Sequence, residues 1–461
     1  MLHFTGRRRA TGVVSSPLLS RSPMSLPERL FQLRLHGTTV RTEVLAGITT
    51  FLTMSYIVFV NPAILGTTGM DTGAVFVATC LAAALGSAVI ALMANYPVGM
   101  APGMGLNAFF AFTVVGANGL PWQQALAAVL ISGIVFLIIS LTGVRRWLVD
   151  GIPASLRSAI VAGIGLFLAI IALQKSGVVI ADADTLVRLG PMDSAPPLLA
   201  MGGFLLIAIL EARKVRGAIL IGILTVTGLA WALGLVQWQG LVSLPPSLAP
   251  TFGQLDLAGL LHWEDGAAWS VLLQVVLVFV LVEVFDATGT LYGVASRAGL
   301  LTLPDGDKRF GRALLADSSA ITVGSLLGTS STTAFAESAS GVEAGGRTGL
   351  TALVIAALFL AALLFSPLAA MVPPYATAPA LLYVAGLMLR ELVEIEWNEL
   401  TEAVPAALCA LAMPFTYSIA NGLAFGFIAY AVLKAGTGKW RDVHPAVWLV
   451  AALFALRYAL E

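Results

Sequence analysis

Apolar residues run along this chain in stretches of about twenty, divided by short polar breaks, and not in the narrow alternating stripes of a water-soluble fold. That length matches the ~20 residues a helix needs to cross a hydrocarbon core about 30 Å thick. The pattern predicts spans near 43–66, 72–95, 97–117, 121–143, 151–173, 196–212, 215–236, 270–294, 312–328, 331–345, 347–371, 375–390, 399–416 and 418–435. A further apolar stretch, 443–460, is expected to lie at the interface. The fold expected is therefore an all-α polytopic membrane protein of about 14 transmembrane spans.

Composition agrees: 58% of the 461 residues are hydrophobic and 11% charged, against roughly 45–50% and about 25% in soluble domains. Lys and Arg balance Asp and Glu at 25 each, which leaves no basic field for nucleic acid. With the amino terminus inside, every Lys and Arg except Lys175, Arg188 and Arg457 falls on the cytoplasmic side. The expected organisation is a cytoplasmic extension (1–41), a first seven-span repeat (42–236), an extracytoplasmic loop (237–266), a second seven-span repeat (267–436) and an apolar tail (437–461). Both termini are expected to be cytoplasmic. Residues 1–23, with Arg7-Arg8-Arg9 and no apolar core, read as an extension and not as a signal peptide.

Two spans break the helical pattern. Span three opens Tyr96-Pro97-Val98-Gly99-Met100-Ala101-Pro102-Gly103, too rich in Pro and Gly for a continuous helix. Span ten opens Gly328-Thr329-Ser330-Ser331-Thr332-Thr333, a hydroxyl-rich start to a short helix. Three and ten differ by seven, so the interruptions occupy matching places in two halves. Seven is odd, so the second half is inserted upside down. Broken helices at matching positions of an inverted repeat point to a transporter's midplane site, because open backbone is tolerated only where it lines a cavity.

Ionisable groups at membrane depth converge on the same place, and each costs at least ~2.5 kcal/mol at a helix centre. Glu283, Asp286 and Thr290 fall at i, i+3 and i+7 on one face of span eight. Glu337 lies near the start of span ten and Asn107 near the helical part of span three. Two half-helix amino termini facing this group would add positive dipole ends. Asp317, five residues after Arg312, reads as a cytoplasmic-end ion pair and is left out of the site. Glu343 reads as a structural pair or cap, and Glu402 and Glu211 as solvated groups near span ends. The histidines (His3, His36, His262, His444) all lie outside the longest apolar stretches, and Cys80 and Cys409 stand alone. No metal, cofactor or Ser-His protease chemistry is expected, and the protein is not expected to be an enzyme.

The runs Ala46-Gly47-Ile48-Thr49-Thr50-Phe51, Asn61-Pro62-Ala63-Ile64-Leu65, Ala101-Pro102-Gly103-Met104-Gly105-Leu106-Asn107, Phe285-Asp286-Ala287-Thr288-Gly289-Thr290 and Glu337-Ser338-Ala339-Ser340-Gly341-Val342 resemble the bacterial nucleobase/cation symporters, in the adenine/guanine/hypoxanthine permease branch. The resemblance covers residues 40 to 460. It implies a 7+7 inverted repeat, a core domain moving against a gate domain, and proton-coupled purine uptake across the inner membrane. By resemblance, Glu283 and Asp286 hold the two acidic positions of span eight, Glu337 that of span ten, and Asn107 the amide of span three. That branch usually carries Asp where this chain has Glu283.

The chemistry suits a purine independently, since a carboxylate can accept two adjacent N–H donors from the edge of a neutral planar base. Glu283, Glu337 and Asn107 are the expected binding groups, with Phe335 and its neighbours Phe109, Phe110 and Phe285 available to sandwich the ring. Asp286 and Glu283 are the expected proton carriers. Guanine and hypoxanthine are placed ahead of adenine. The alternatives are xanthine or uracil, sodium coupling, or an anion channel or exchanger on the same fold. Expected partners are the base, protons and the bilayer, with a homodimer allowed.

Overall fold

A computed structural model describes residues 25–142, 144–261 and 266–460. The expectations for residues 1–23, and for His3 and His262, lie outside the described residues.

A helix, or a strand followed by a helix, stands at each of the fourteen expected spans. Among the described residues nine helices are long and apolar enough to cross a bilayer by themselves. The two interrupted spans behave as their Pro, Gly and hydroxyl content requires. Span three enters as strand β1 (Met100–Pro102), turns helical at Met104, and is wound as a π-helix over Phe109–Ala117. After a hairpin of β2 (Val179–Asp182) and β3 (Leu186–Leu189), span ten enters as β4 (Thr332–Ala334) before a short helix, Ser338–Glu343. β1 and β4 pair antiparallel, Met100 opposite Ala334 and Pro102 opposite Thr332. The pair is extended by Gly103 N–H to the Ser331 carbonyl at 2.9 Å and Phe335 N–H to the Gly99 carbonyl at 3.0 Å. Each strand thus satisfies the other's backbone where no water or helix would.

Helices must approach this two-stranded crossing closely. At Gly86 of span two a Cβ would press within 3.2 Å of Met100 Cβ and 3.5 Å of Thr332 Cγ2. At Gly324 of span nine it would overlap Thr332 Oγ1. Spans two and nine are seven apart, so the same device recurs in both halves.

The packing divides the spans into two bundles. Spans one to four and eight to eleven pack on one another, as do spans five to seven and twelve to fourteen. Adding seven to a span number maps the partners onto each other: span two packs on eleven and nine on four, one on eleven and eight on four, five on thirteen and twelve on six. This is the 7+7 repeat, with the first bundle as core and the second as gate.

Three expectations need correction. Span one is not continuous: its helix Val40–Met54 stops, Ser55 and Tyr56 turn, and a second helix runs Ile57–Leu65. Asp317 makes no pair with Arg312; it is fully buried against span ten. Glu402 is not a free solvated group: 12% exposed, it pairs with Lys434 at 2.8 Å and accepts a hydrogen bond from Tyr430 at 3.0 Å. Its partners lie on the next span and so leave no signal beside it in the sequence. Glu343 does form its structural pair, with Arg297 at 3.8 Å.

The tail is packed against the bundle. Helix Pro445–Leu460 packs on span fourteen and span eight. At its start His444 stacks near Trp147, and at its far end Arg457 and Tyr458 donate to Asn421, which opens span fourteen, at 3.3 and 3.1 Å. The tail therefore runs antiparallel to span fourteen along its length. At 1.5 Å per residue, its 16 residues cover about 24 Å, most of a hydrocarbon core. The helix is thus packed along the bundle over its whole length.

Candidate functional site

The β1–β4 crossing collects side chains from five core spans. Glu337 follows β4 and occupies the cap position of the Ser338–Glu343 helix. It is half-buried, and its Oε1 accepts a hydrogen bond of 2.7 Å from Tyr56, which sits at the break in span one. The loss of helix at Ser55–Tyr56 brings a phenol to bear on this carboxylate. Neither the break nor Tyr56 is expected from the sequence, because no Pro or Gly stands beside it.

Span eight supplies Glu283 and Asp286, but on different terms. Glu283 is 1% exposed, its Oε1 accepting from Ser132 of span four at 3.4 Å. Asp286 is accessible although protein surrounds it, and Gly289 and Gly293 at i+3 and i+7 are accessible too. Asp286 thus sits in a crevice of the surface, and Gly289 and Gly293 lie open on the same helix face toward Arg297. Asp286 and Glu337 are electrostatic neighbours across it. Asp317 of span nine, 0% exposed, accepts from Ala334 N–H at 2.8 Å and Thr333 Oγ1 at 3.0 Å.

Asn107 is placed otherwise. It is fully buried, with Nδ2 donating to Asn61 Oδ1 at 2.6 Å and Oδ1 accepting from Ser330. Asn61 in turn donates to Thr79 at 2.7 Å and Thr329 at 2.9 Å. In this conformation the amide ties the two broken spans together. Of the aromatics, Phe335 is buried with its N–H in the crossing, Phe109 packs edge-on against Phe279 at 5.0 Å, and Phe110 and Phe285 are buried as well. The site thus brings together Glu283, Asp286 and Glu337, adds Tyr56 and Asp317, and keeps Asn107 behind it. Among the described residues no three His, Cys, Asp or Glu side chains are grouped to hold a metal ion.

A family profile described as a permease family matches residues 41–425. The adenine permease AdeP of Escherichia coli is 51% identical over 436 residues, covering 95% of this chain and 96% of its own. The guanine/hypoxanthine permease PbuO of Bacillus subtilis is 44% identical over 444 residues, covering 93% and 99%. Among solved structures, the transmembrane domain of a cyanobacterial bicarbonate transporter, BicA, superposes with a TM-score of 0.61 at 16% identity, covering 83% of this chain and 97% of that one. At that identity the likeness is one of fold.

Proposed function

For a chain that belongs to this permease family, the nucleobase-ascorbate transporters, and is thus a membrane transporter and not an enzyme, we propose uptake of purine nucleobases by proton symport. Of the two relatives described above, one is an adenine permease and the other a guanine/hypoxanthine permease, and the adenine permease is the more similar. Adenine therefore stands beside guanine and hypoxanthine as a substrate. The site residues, and a plasma-membrane location with a cytoplasmic amino terminus, belong to the same proposal.

The observation that carries it is the Glu337 carboxylate. One oxygen is held by Tyr56; the other remains for an N–H on the edge of a base entering the crevice beside Asp286. A neutral base brings no charge, so a carboxylate that gains and loses a proton during the cycle can tie its movement to the proton gradient. Crossing strands at the midplane leave room for that base where a continuous helix would fill the space.

Uptake of radiolabelled adenine, guanine and hypoxanthine into cells stripped of their own purine permeases tests the reading. Accumulation that collapses with a protonophore, and that unlabelled purines but not uracil compete away, supports it. Uptake of uracil alone, or accumulation indifferent to the protonophore and dependent on sodium, contradicts it.

A further inference from the structure

Residues 25–39 precede span one and lie on the end of the core domain where span two finishes and spans nine and eleven begin. A short helix, Leu26–Phe31, ends in a left-handed turn at Gln32, and two apolar side chains of the segment are buried, Phe31 at 3% exposure and Leu33 at 4%. Side chains of the core hold it there. Asn95, which caps the end of span two, donates from Nδ2 to the Phe31 carbonyl at 3.1 Å, and its Oδ1 accepts from Gly349 N–H at the start of span eleven at 2.6 Å. Arg309, 5% exposed in the helix Gly306–Leu327 that carries span nine, donates Nε to the Ala94 carbonyl at 3.1 Å and Nη2 to the Asn95 carbonyl at 2.7 Å. Its Nη1 meets His36 Nε2 at 3.3 Å.

That last contact admits one protonation state. A guanidinium has donors, no acceptor and a permanent charge, so His36 Nε2 must present its lone pair and the imidazole must be neutral, with its proton on Nδ1. A proton on Nε2 sets N–H against N–H and one cation against another. The other charges facing the imidazole are Asp305, at the head of the same helix, and Glu43 of span one, and both favour the protonated form. Glu43 is engaged elsewhere, its oxygens accepting from the N–H groups of Arg347 and Thr348 and from the Thr351 hydroxyl. The Tyr96 ring lies 5.8 Å from the guanidinium carbon of Arg309. Burial, and then the Arg309 charge, outweigh the two carboxylates and hold the pKa of His36 below its ordinary value of 6.5.

We propose that residues 25–39 are an acid-released latch: neutral His36 fastens the segment to the core domain through Arg309, and protonation of Nε2 detaches it. The detached segment binds the proton more readily than the docked one, so docking is strongest above pH 6.5 and weakens as the pH falls below it. Arg309 and Asn95 keep their bonds among spans two, nine and eleven when the latch opens, so the core stays folded while Phe31 and Leu33 become exposed. With the orientation and proton coupling proposed above, this is the face onto which imported protons are delivered, which makes the latch a sensor of transport. The latch itself does not depend on that reading.

The test uses the full chain in lipid nanodiscs, without purine. Leu33→Cys reports the buried position, and Leu35→Cys, where the native side chain is 74% exposed, is the reference for the pH dependence of the thiol reaction itself; both native cysteines are buried. The ratio of the two labelling rates is followed from pH 8 to pH 5. With His36 intact the ratio should rise at least about threefold toward pH 5. With His36→Gln, whose amide oxygen accepts from Arg309 without titrating, it should stay low throughout, and with His36→Lys, a permanent cation, it should be high throughout. Phe31→Cys reads the same opening from a second buried position, in case a cysteine at 33 loosens the segment by itself. A ratio that is flat with His36 intact, a rise that survives His36→Gln, or a ratio in His36→Lys as low as in His36→Gln overturns the proposal. No purine enters the measurement, so a failed uptake assay leaves its result standing, and a failed latch leaves the purine reading standing.

Discussion

Tyr56 and Glu337 lie 281 positions apart in sequence and 2.7 Å apart in space, phenol to carboxylate. One comes from the break in span one, the other from the break in span ten, so two interruptions of helix in opposite halves meet on one hydrogen bond. A hydrogen bond to a charged group is worth about 1.5–3 kcal/mol, and this one fixes which way the carboxylate faces.

Tyr56→Phe should therefore weaken purine binding by about tenfold or more, through loss of a charge-assisted hydrogen bond, while the protein stays folded. Calorimetry on purified protein reads this directly. An affinity equal to wild type would mean that Glu337 is oriented by something other than the phenol.

Lys175 ends span five of the gate and donates to the Ala63 carbonyl of span one at 2.9 Å, its ammonium 5.6 Å from the Phe112 ring of span three. Beside it, Tyr417 of the gate donates to Gln174 at 2.8 Å and meets Phe112 edge-on. Gate and core are thus fastened at the end away from the crevice mouth. Lys175→Met should loosen that closure, raising the rate at which a cysteine introduced at Phe112 is labelled from outside by about tenfold, equivalent to ~1.4 kcal/mol. No change in rate would make Lys175 a packing residue only.

The tail makes a topological prediction. A cysteine at Ala459 should be labelled in intact cells by an impermeant thiol reagent, as should one at Ser243 in the 237–266 loop, while both native cysteines are buried and silent. Labelling of Ala459→Cys only after permeabilisation would return the carboxyl terminus to the cytoplasmic face.

The two broken spans were legible because their cause is local: prolines and glycines at 97–105 and a hydroxyl run at 328–333 each forbid a plain helix. The inverted repeat followed from counting. What stayed hidden depends on partners far away along the chain. Asp317 follows Arg312 by five residues, which on a helix turns it about 140° away, toward the strand of span ten that sequence distance does not reveal. Asn107 is a candidate ligand by its place in span three and by resemblance, and its partners in this conformation, Asn61 and Ser330, lie 46 and 223 positions away. The tail's apolar stretch gives no sign in sequence of its partner, and the bonds to Asn421 lay it along span fourteen.

The central claim, that a purine base is held by the span-ten carboxylate, is tested most directly by calorimetric titration of purified wild type and Glu337→Gln with adenine, guanine and hypoxanthine. Glutamine keeps the size of the side chain but turns one acceptor into a donor facing the base edge. The expected result is saturable binding of at least one purine to wild type and none to Glu337→Gln at the same melting temperature. Wild-type affinity in Glu337→Gln would contradict the account.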